Sequence, residues 1–88
     1  MIEVLFFSAP WCSACKTAKP VVEAAAKESG YTFRYIDIEE NSTNSKLSAK
    51  MDVSSLPTSV ILKDGKERLR WEGAFGANVI DSKMRSVV

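Results

Sequence analysis

The sequence predicts an α/β domain with the element order βαβαββα and a mixed sheet. Three observations carry that expectation. A short apolar run, Val4-Leu5-Phe6-Phe7, meets a helical pattern at Trp11-Cys12-Ser13-Ala14-Cys15-Lys16. A second strand pattern follows that helix at a distance that implies a parallel crossover. Later, Asp64-Gly65 joins two further strand patterns, which signals a tight hairpin and an antiparallel pair.

Taken in order, Ile2 to Phe7 reads as a buried strand, closed by Ser8-Ala9-Pro10. From Ser13 onward, Ala14, Ala18, Val21, Val22, Ala25 and Ala26 recur at three and four, a helical stripe that Gly30 ends. Pro20 lies inside this helix, where it removes a backbone bond and predicts a kink. Tyr31 to Ile38, rich in aromatic and β-branched residues, is the second strand. Glu39 to Asn44 is a polar loop, and Ser45 to Met51 a short helix with Ser42 or Thr43 as its cap. After the break at Ser54-Ser55-Leu56-Pro57, Thr58 to Lys63 and Lys66 to Glu72 form the hairpin strands, and Gly73 ends the second of them. Ala77 to Val88 places Ile80, Met84, Val87 and Val88 on one face of a last helix.

At 88 residues, residues 1–88 are expected to form one domain with a modest core. The hydrophobic share of 45% and charged share of 26% are those of an ordinary globular domain. A net charge of +1 gives no electrostatic footprint for nucleic acid or an anionic membrane. No run approaches the roughly 20 apolar residues of a membrane span. The first seven residues lack a basic leader, so a reducing, cytoplasmic compartment is the expectation. The basic stretch from Lys63 to Arg70 includes Asp64 and Glu67 and reads as a solvated hairpin.

The two cysteines, Cys12 and Cys15, are the only ones in the chain. Residues three apart on a helix hold their β-carbons about 5–6 Å apart, whereas a disulfide wants about 3.8 Å. A small tightening of the first turn therefore separates dithiol from disulfide. As a staple the pair is poor, since so short a loop gains only about 2 kcal/mol. In a reducing compartment such a pair is catalytic or metal-binding before it is structural. Two thiolates and no histidine fall short of the four ligands of tetrahedral zinc, although a cluster shared between two copies stays open.

The residues around this pair resemble the thioredoxin superfamily, most closely its small phage- or archaeal-type thioredoxins. The likeness rests on Ala9-Pro10-Trp11 before Cys12, Lys16 after Cys15, Pro20 in the helix, Leu56-Pro57-Thr58, Asp64-Gly65 and Gly73. It covers essentially the whole chain, without the additional N-terminal strand and helix of a full-length thioredoxin. It implies a sandwich whose four-stranded mixed sheet carries helices on both faces, and a cis peptide bond at Pro57. Three departures stand out. Ser13-Ala14 occupies the place of the usual Gly-Pro. Phe6 aligns with a buried aspartate beneath the second cysteine, and Phe33 with the lysine that pairs with it. Aromatic rings avoid the desolvation cost of a buried charge pair, but they also remove the usual acceptor for the Cys15 proton.

The resemblance implies a protein dithiol–disulfide oxidoreductase. Cys12 would attack a substrate disulfide and Cys15 would resolve the mixed disulfide. An ordinary cysteine, with a pKa of about 8.5, is only about 3% thiolate at neutral pH. A helix terminus supplies about 0.3–1 kcal/mol, so amides of Ala14 and Cys15, and the Ser13 hydroxyl, are expected to aid the Cys12 sulfur. Trp11, Leu56 and Pro57 would meet the substrate, with Ser13, Ala14 and Lys16 as auxiliary residues. No cofactor beyond the Cys12–Cys15 disulfide and no metal is implied. The partners would be disulfide-containing proteins and a thioredoxin reductase-type electron donor, with no nucleic acid, no membrane and a monomeric state. The alternatives are a glutathione-dependent, glutaredoxin-like enzyme and a non-catalytic binding subunit. Ser55-Leu56-Pro57 and Gly73-Ala74 depart from the glutaredoxin pattern.

Overall fold

A computed structural model describes residues 1–87 of the chain. Its elements are β1 (Ile2–Ser8), α1 (Ser13–Glu28), β2 (Thr32–Asp37), α2 (Ser42–Lys50), β3 (Thr58–Lys63), β4 (Lys66–Glu72) and α3 (Ala77–Arg85). The sheet order is β2-β1-β3-β4. β1 runs parallel to β2 and antiparallel to β3, and β3 is antiparallel to β4, so the sheet is mixed as expected.

β1 supplies the centre because it is apolar on both faces. Val4 and Phe6 point to one side, into a cluster with Ala18, Val22 and Ala26 of α1, Ile80 and Met84 of α3, and Ile61 and Trp71 of the hairpin. Leu5 and Phe7 point to the other, where Ile36 and Val60 join them and Leu47 and Met51 pack over the top. Helices thus cover both faces, two on one side and α2 on the other. Val87 is buried with Ile80 and Met84 beyond the end of α3. Val88, expected on the same face, lies outside the described residues.

Both strands of the hairpin take the bounds expected from the sequence. Their turn works because Asp64 and Gly65 both adopt positive φ, 52° and 83°, the left-handed pair of a tight hairpin. α1 ends as its glycine signal implies. Ser29 caps it, and Gly30, at φ 76°, turns the chain into β2. Pro20 is accommodated inside α1.

Two expectations need correction. α2 begins at Ser42, not Ser45, and its cap is Asn41 instead of Ser42 or Thr43. The Asn41 side chain accepts the Asn44 amide N–H at 2.8 Å, while Asn44 Nδ2 donates to the Asp37 carbonyl at 3.0 Å. An asparagine amide oxygen caps as well as a serine hydroxyl does, and the extra tie to β2 selects it. Phe33, one of the two rings aligned with a buried charge pair, is only half-buried at the margin of the core, because β2 is an edge strand.

Candidate active site

The C-terminal end of β1 and the start of α1 meet over Ala9-Pro10-Trp11. There the Ala9 carbonyl accepts the Cys12 amide N–H at 3.1 Å and turns the chain into the helix. Cys12 is the N-cap, with extended backbone angles, and Cys15 lies in the first turn. The two are joined in a disulfide with their Cα atoms 5.3 Å apart. The Cys15 amide N–H also donates to Cys12 Sγ at 3.2 Å. Of the two amides expected at that sulfur, only that of Cys15 makes the bond among the described residues. Helix-end amides aimed at Sγ favour the thiolate over the thiol once the disulfide is opened.

Cys12 is 6% exposed and Cys15 2%, so the first is the more exposed of two nearly enclosed residues. Ser13, Ala14 and Lys16 lie at the surface between and beside them. Trp11 is 65% exposed and its indole N–H donates to the Glu39 carboxylate. That bond holds a large apolar ring in water beside the cysteines. Glu39 gave no signal in the sequence, being one acid in a polar loop.

The second wall comes from the loop before β3. The Leu56–Pro57 peptide bond is cis. Leu56 is half-buried and packs against the cluster that contains both cysteines, while Pro57 is fully buried. The Pro57 carbonyl accepts the Gly73 amide N–H at 2.9 Å, and the Thr58 hydroxyl donates to the Ser55 carbonyl at 2.6 Å, so the loop is fixed at both ends. Gly73, at φ 90°, ends β4 and leads to Phe75, which is 42% exposed. The Lys83 ammonium sits 5.3 Å from the Phe75 ring centroid and 5.4 Å from that of Trp71. Trp71 itself is a packing residue, 6% exposed.

Beneath the cysteines the floor carries rings where the resemblance implies charges. Phe6 is fully buried, 6.0 Å from the Phe33 ring and 6.2 Å from that of Tyr35, centroid to centroid. Tyr35, not Phe33, is the register partner of Phe6 across the parallel ladder. Nothing in the sequence singles Tyr35 out, since parallel register is not legible before the strands are paired.

The thioredoxin family model matches residues 2–86. The chain belongs to the thioredoxin family. It is 39% identical over 79 residues to Thioredoxin-2 of Saccharomyces cerevisiae, spanning 89% of this chain and 73% of that protein. It is 38% identical over 60 residues to a thioredoxin of Bacillus subtilis, spanning 68% of this chain and 57% of that one. Among solved structures, Fasciola hepatica thioredoxin superposes with a TM-score of 0.82 at 34% identity, covering 99% of this chain and 81% of that chain. A mutant thioredoxin from Halobacterium salinarum gives 0.85 at 27% identity, over 98% of this chain and 74% of that one. The relatives are longer, and the Bacillus alignment spans little more than half of its thioredoxin. The family match runs through the Cys-x-x-Cys segment, the loop of Pro57 and the hairpin, so the thioredoxin fold here is continuous with its cysteine pair. Among the described residues no helix is long and apolar enough to cross a membrane, and no cluster of His, Cys, Asp and Glu would hold a metal ion.

Proposed function

We propose that the protein is a thioredoxin-type dithiol–disulfide oxidoreductase that reduces disulfides of target proteins. The observation that carries this reading is the Cys12–Cys15 disulfide at the start of α1, with Cys12 the more exposed residue and its sulfur hydrogen-bonded by the Cys15 amide. In the dithiol form, Cys12 thiolate attacks a substrate disulfide and displaces one substrate sulfur. Cys15 then attacks Cys12 Sγ, the mixed disulfide breaks, and the second substrate thiolate leaves. The protein ends as the disulfide, and a reductase of the thioredoxin reductase type returns two electrons to it. The Cys12–Cys15 pair is the only redox group required.

Trp11 and Leu56 form the substrate contacts in this reading, and Pro57, itself buried, sets the course of the loop that presents the Leu56 backbone. The exposed ring offers apolar area, and the loop before β3 offers backbone to an extended peptide. Ser13, Ala14 and Lys16 shape the approach to Cys12. The chemistry suits a reducing compartment such as the cytoplasm, and the protein acts as a monomer without nucleic acid or membrane.

The direct test is reduction of a protein disulfide with each cysteine replaced in turn. Cys12→Ser abolishes exchange. Cys15→Ser accumulates a covalent adduct with substrate, readable by mass. An adduct on Cys12→Ser and none on Cys15→Ser would reverse the two roles. The equilibrium potential of the pair decides direction: it should lie well below that of the glutathione pool, where about 30 mV marks each tenfold step in equilibrium constant. A value at or above the pool would assign an oxidising or glutathione-linked role instead.

A further inference from the structure

Resolution of a mixed disulfide requires Cys15 to lose its proton, and Cys15 is 2% exposed. Among the described residues the enclosed polar side chains are Ser8, Ser48, Thr58 and Ser59, all hydroxyls and none a carboxylate. Ser48 belongs to α2, on the far side of the sheet. Thr58 gives its hydroxyl proton to the Ser55 carbonyl. Ser59, the register partner of Phe6, shares the face of the cysteines but is enclosed like Thr58. Ser8 differs from these. It is 1% exposed, yet its Oγ accepts a hydrogen bond at 3.2 Å from the hydroxyl of Tyr35, a residue that is 45% exposed. One end of this hydroxyl pair is therefore enclosed, and the other belongs to a half-exposed side chain.

The pair also lies on the side of the sheet that holds the cysteines. Side chains alternate along a strand, so Val4, Phe6 and Ser8 share a face. Val4 and Phe6 belong to the cluster that contains Cys12 and Cys15. Ser8 extends that face by two residues, about 7 Å, toward the loop that delivers the cysteines. The Tyr35 ring is held by Phe6, at 6.2 Å and 24° between planes, and by the Lys19 ammonium 5.2 Å from its centroid.

We propose that Ser8 and Tyr35 conduct the Cys15 proton to solvent. The proposal rests on the exchange chemistry above. As Cys15 Sγ–H passes its proton to Ser8 Oγ, Ser8 passes its own to Tyr35 Oη, and Tyr35 passes its own to water. Hydroxyls suit this because each is donor and acceptor and rotates freely. The thiolate's electron pair then forms the bond to Cys12 Sγ. The mixed-disulfide bond breaks onto the substrate sulfur, which takes a proton from solvent. After transfer, Tyr35 donates to Ser8 and leaves the Ser8 proton to steady the thiolate.

The charged groups near this path are few. Lys19 comes from α1, with Lys16 beside Cys15. Asp37 is the register partner of Ser8 on β2, and its carboxylate accepts the Glu39 amide N–H at 2.9 Å. Lys83 of α3 lies over Trp71. Asp37 and Glu39, whose carboxylate accepts the Trp11 indole N–H, are the rival bases.

An aromatic disulfide whose two halves leave as coloured thiolates tests the path in two phases. The first thiolate reports attack by Cys12 and the second reports resolution by Cys15. Tyr35→Phe and Ser8→Ala should leave the first phase unchanged. The second should slow at least about tenfold near pH 7, below the ~100–10,000-fold of a positioned acid or base because water offers a slower bypass. The deficit should vanish above the ordinary cysteine pKa of about 8.5, where hydroxide removes the proton directly. Ser8→Thr, which keeps the hydroxyl, should restore the rate, and Ser59→Ala should not change it. If Ser8→Ala fails to fold, Tyr35→Phe decides alone. A second phase unaltered in Tyr35→Phe, or slowed equally at every pH, overturns the proposal. So does a loss on Asp37→Asn or Glu39→Gln larger than that on Tyr35→Phe, which would name that carboxylate as the acceptor. A wild-type protein with no second phase would instead refute the exchange reading itself.

Discussion

Phe6 and Phe7 are adjacent on β1 and both fully buried, yet they serve two halves of unequal build. Phe6 faces the side covered by α1 and α3, where the cysteines, Trp71, Ile80 and Met84 enclose it. Phe7 faces α2, a nine-residue helix whose one buried residue is Ser48, with Leu47 and Met51 only partly covered. On the first side Tyr31 adds a tie, its hydroxyl donating to the Met84 carbonyl at 3.0 Å. The redox pair belongs to the thick side. A disulfide that must open and close without moving its surroundings needs stiff packing beneath it, and the thick side provides that.

The difference can be broken by truncating each ring. Phe6→Ala should cost toward the upper end of the about 3–5 kcal/mol typical of a buried phenylalanine. Phe7→Ala should fall at or below the lower end, because a short polar helix can settle into the space. Denaturant unfolding of both variants reads the two values, and an equal or reversed order would refute the idea of a thick and a thin side.

A smaller perturbation sharpens the point. Asn41→Ala removes the cap of α2 and should cost about 1 kcal/mol. If α2 opens separately from the rest, amide exchange should quicken there and stay unchanged in the middle of α1. Uniform acceleration would mean that the two sides open together.

The smallest effect concerns the clamp on the thin side. Arg70 donates to the Met51 carbonyl at 2.8 Å and to both carboxylate oxygens of Glu67, at 2.7 and 2.8 Å. The hydrogen bond from Arg70 holds the Glu67 carboxyl below the usual range. A carboxylate depressed in the folded state stabilises above its unfolded pKa, and that contribution is lost as pH falls through the folded value. Glu67→Gln should therefore cost a few tenths of a kcal/mol at neutral pH, as partly exposed pairs do, and nothing once both states are protonated in acid. Thermal melts at the two pH values would show whether the gap closes.

The thick side was also the more legible one in the sequence. Its main helix, α1, has a continuous apolar stripe with a glycine stop, and the sheet that both sides share is marked by apolar or β-branched runs and by Asp64-Gly65 at the hairpin. The thin side was read less well. Asn41, Ser42 and Thr43 are all competent caps, and a hydrogen bond from Asn44 to β2 chooses among them. At the site, Cys12, Cys15 and Pro57 could be named from spacing and resemblance. Tyr35, Glu39 and Phe75 could not. Tyr35 acquires its neighbours from parallel register, Glu39 from a loop that returns to Trp11, and Phe75 from the way Gly73 ties β4 to Pro57.

The two tryptophans have an optical consequence. Trp11 stands 65% in water at the lip of the disulfide, whereas Trp71 is 6% exposed within the packed side. An indole in water emits to the red of one in an apolar core, so the two separate in a single fluorescence spectrum. The red component watches the entrance where substrates arrive. The blue component watches the interior that must stay still while they do.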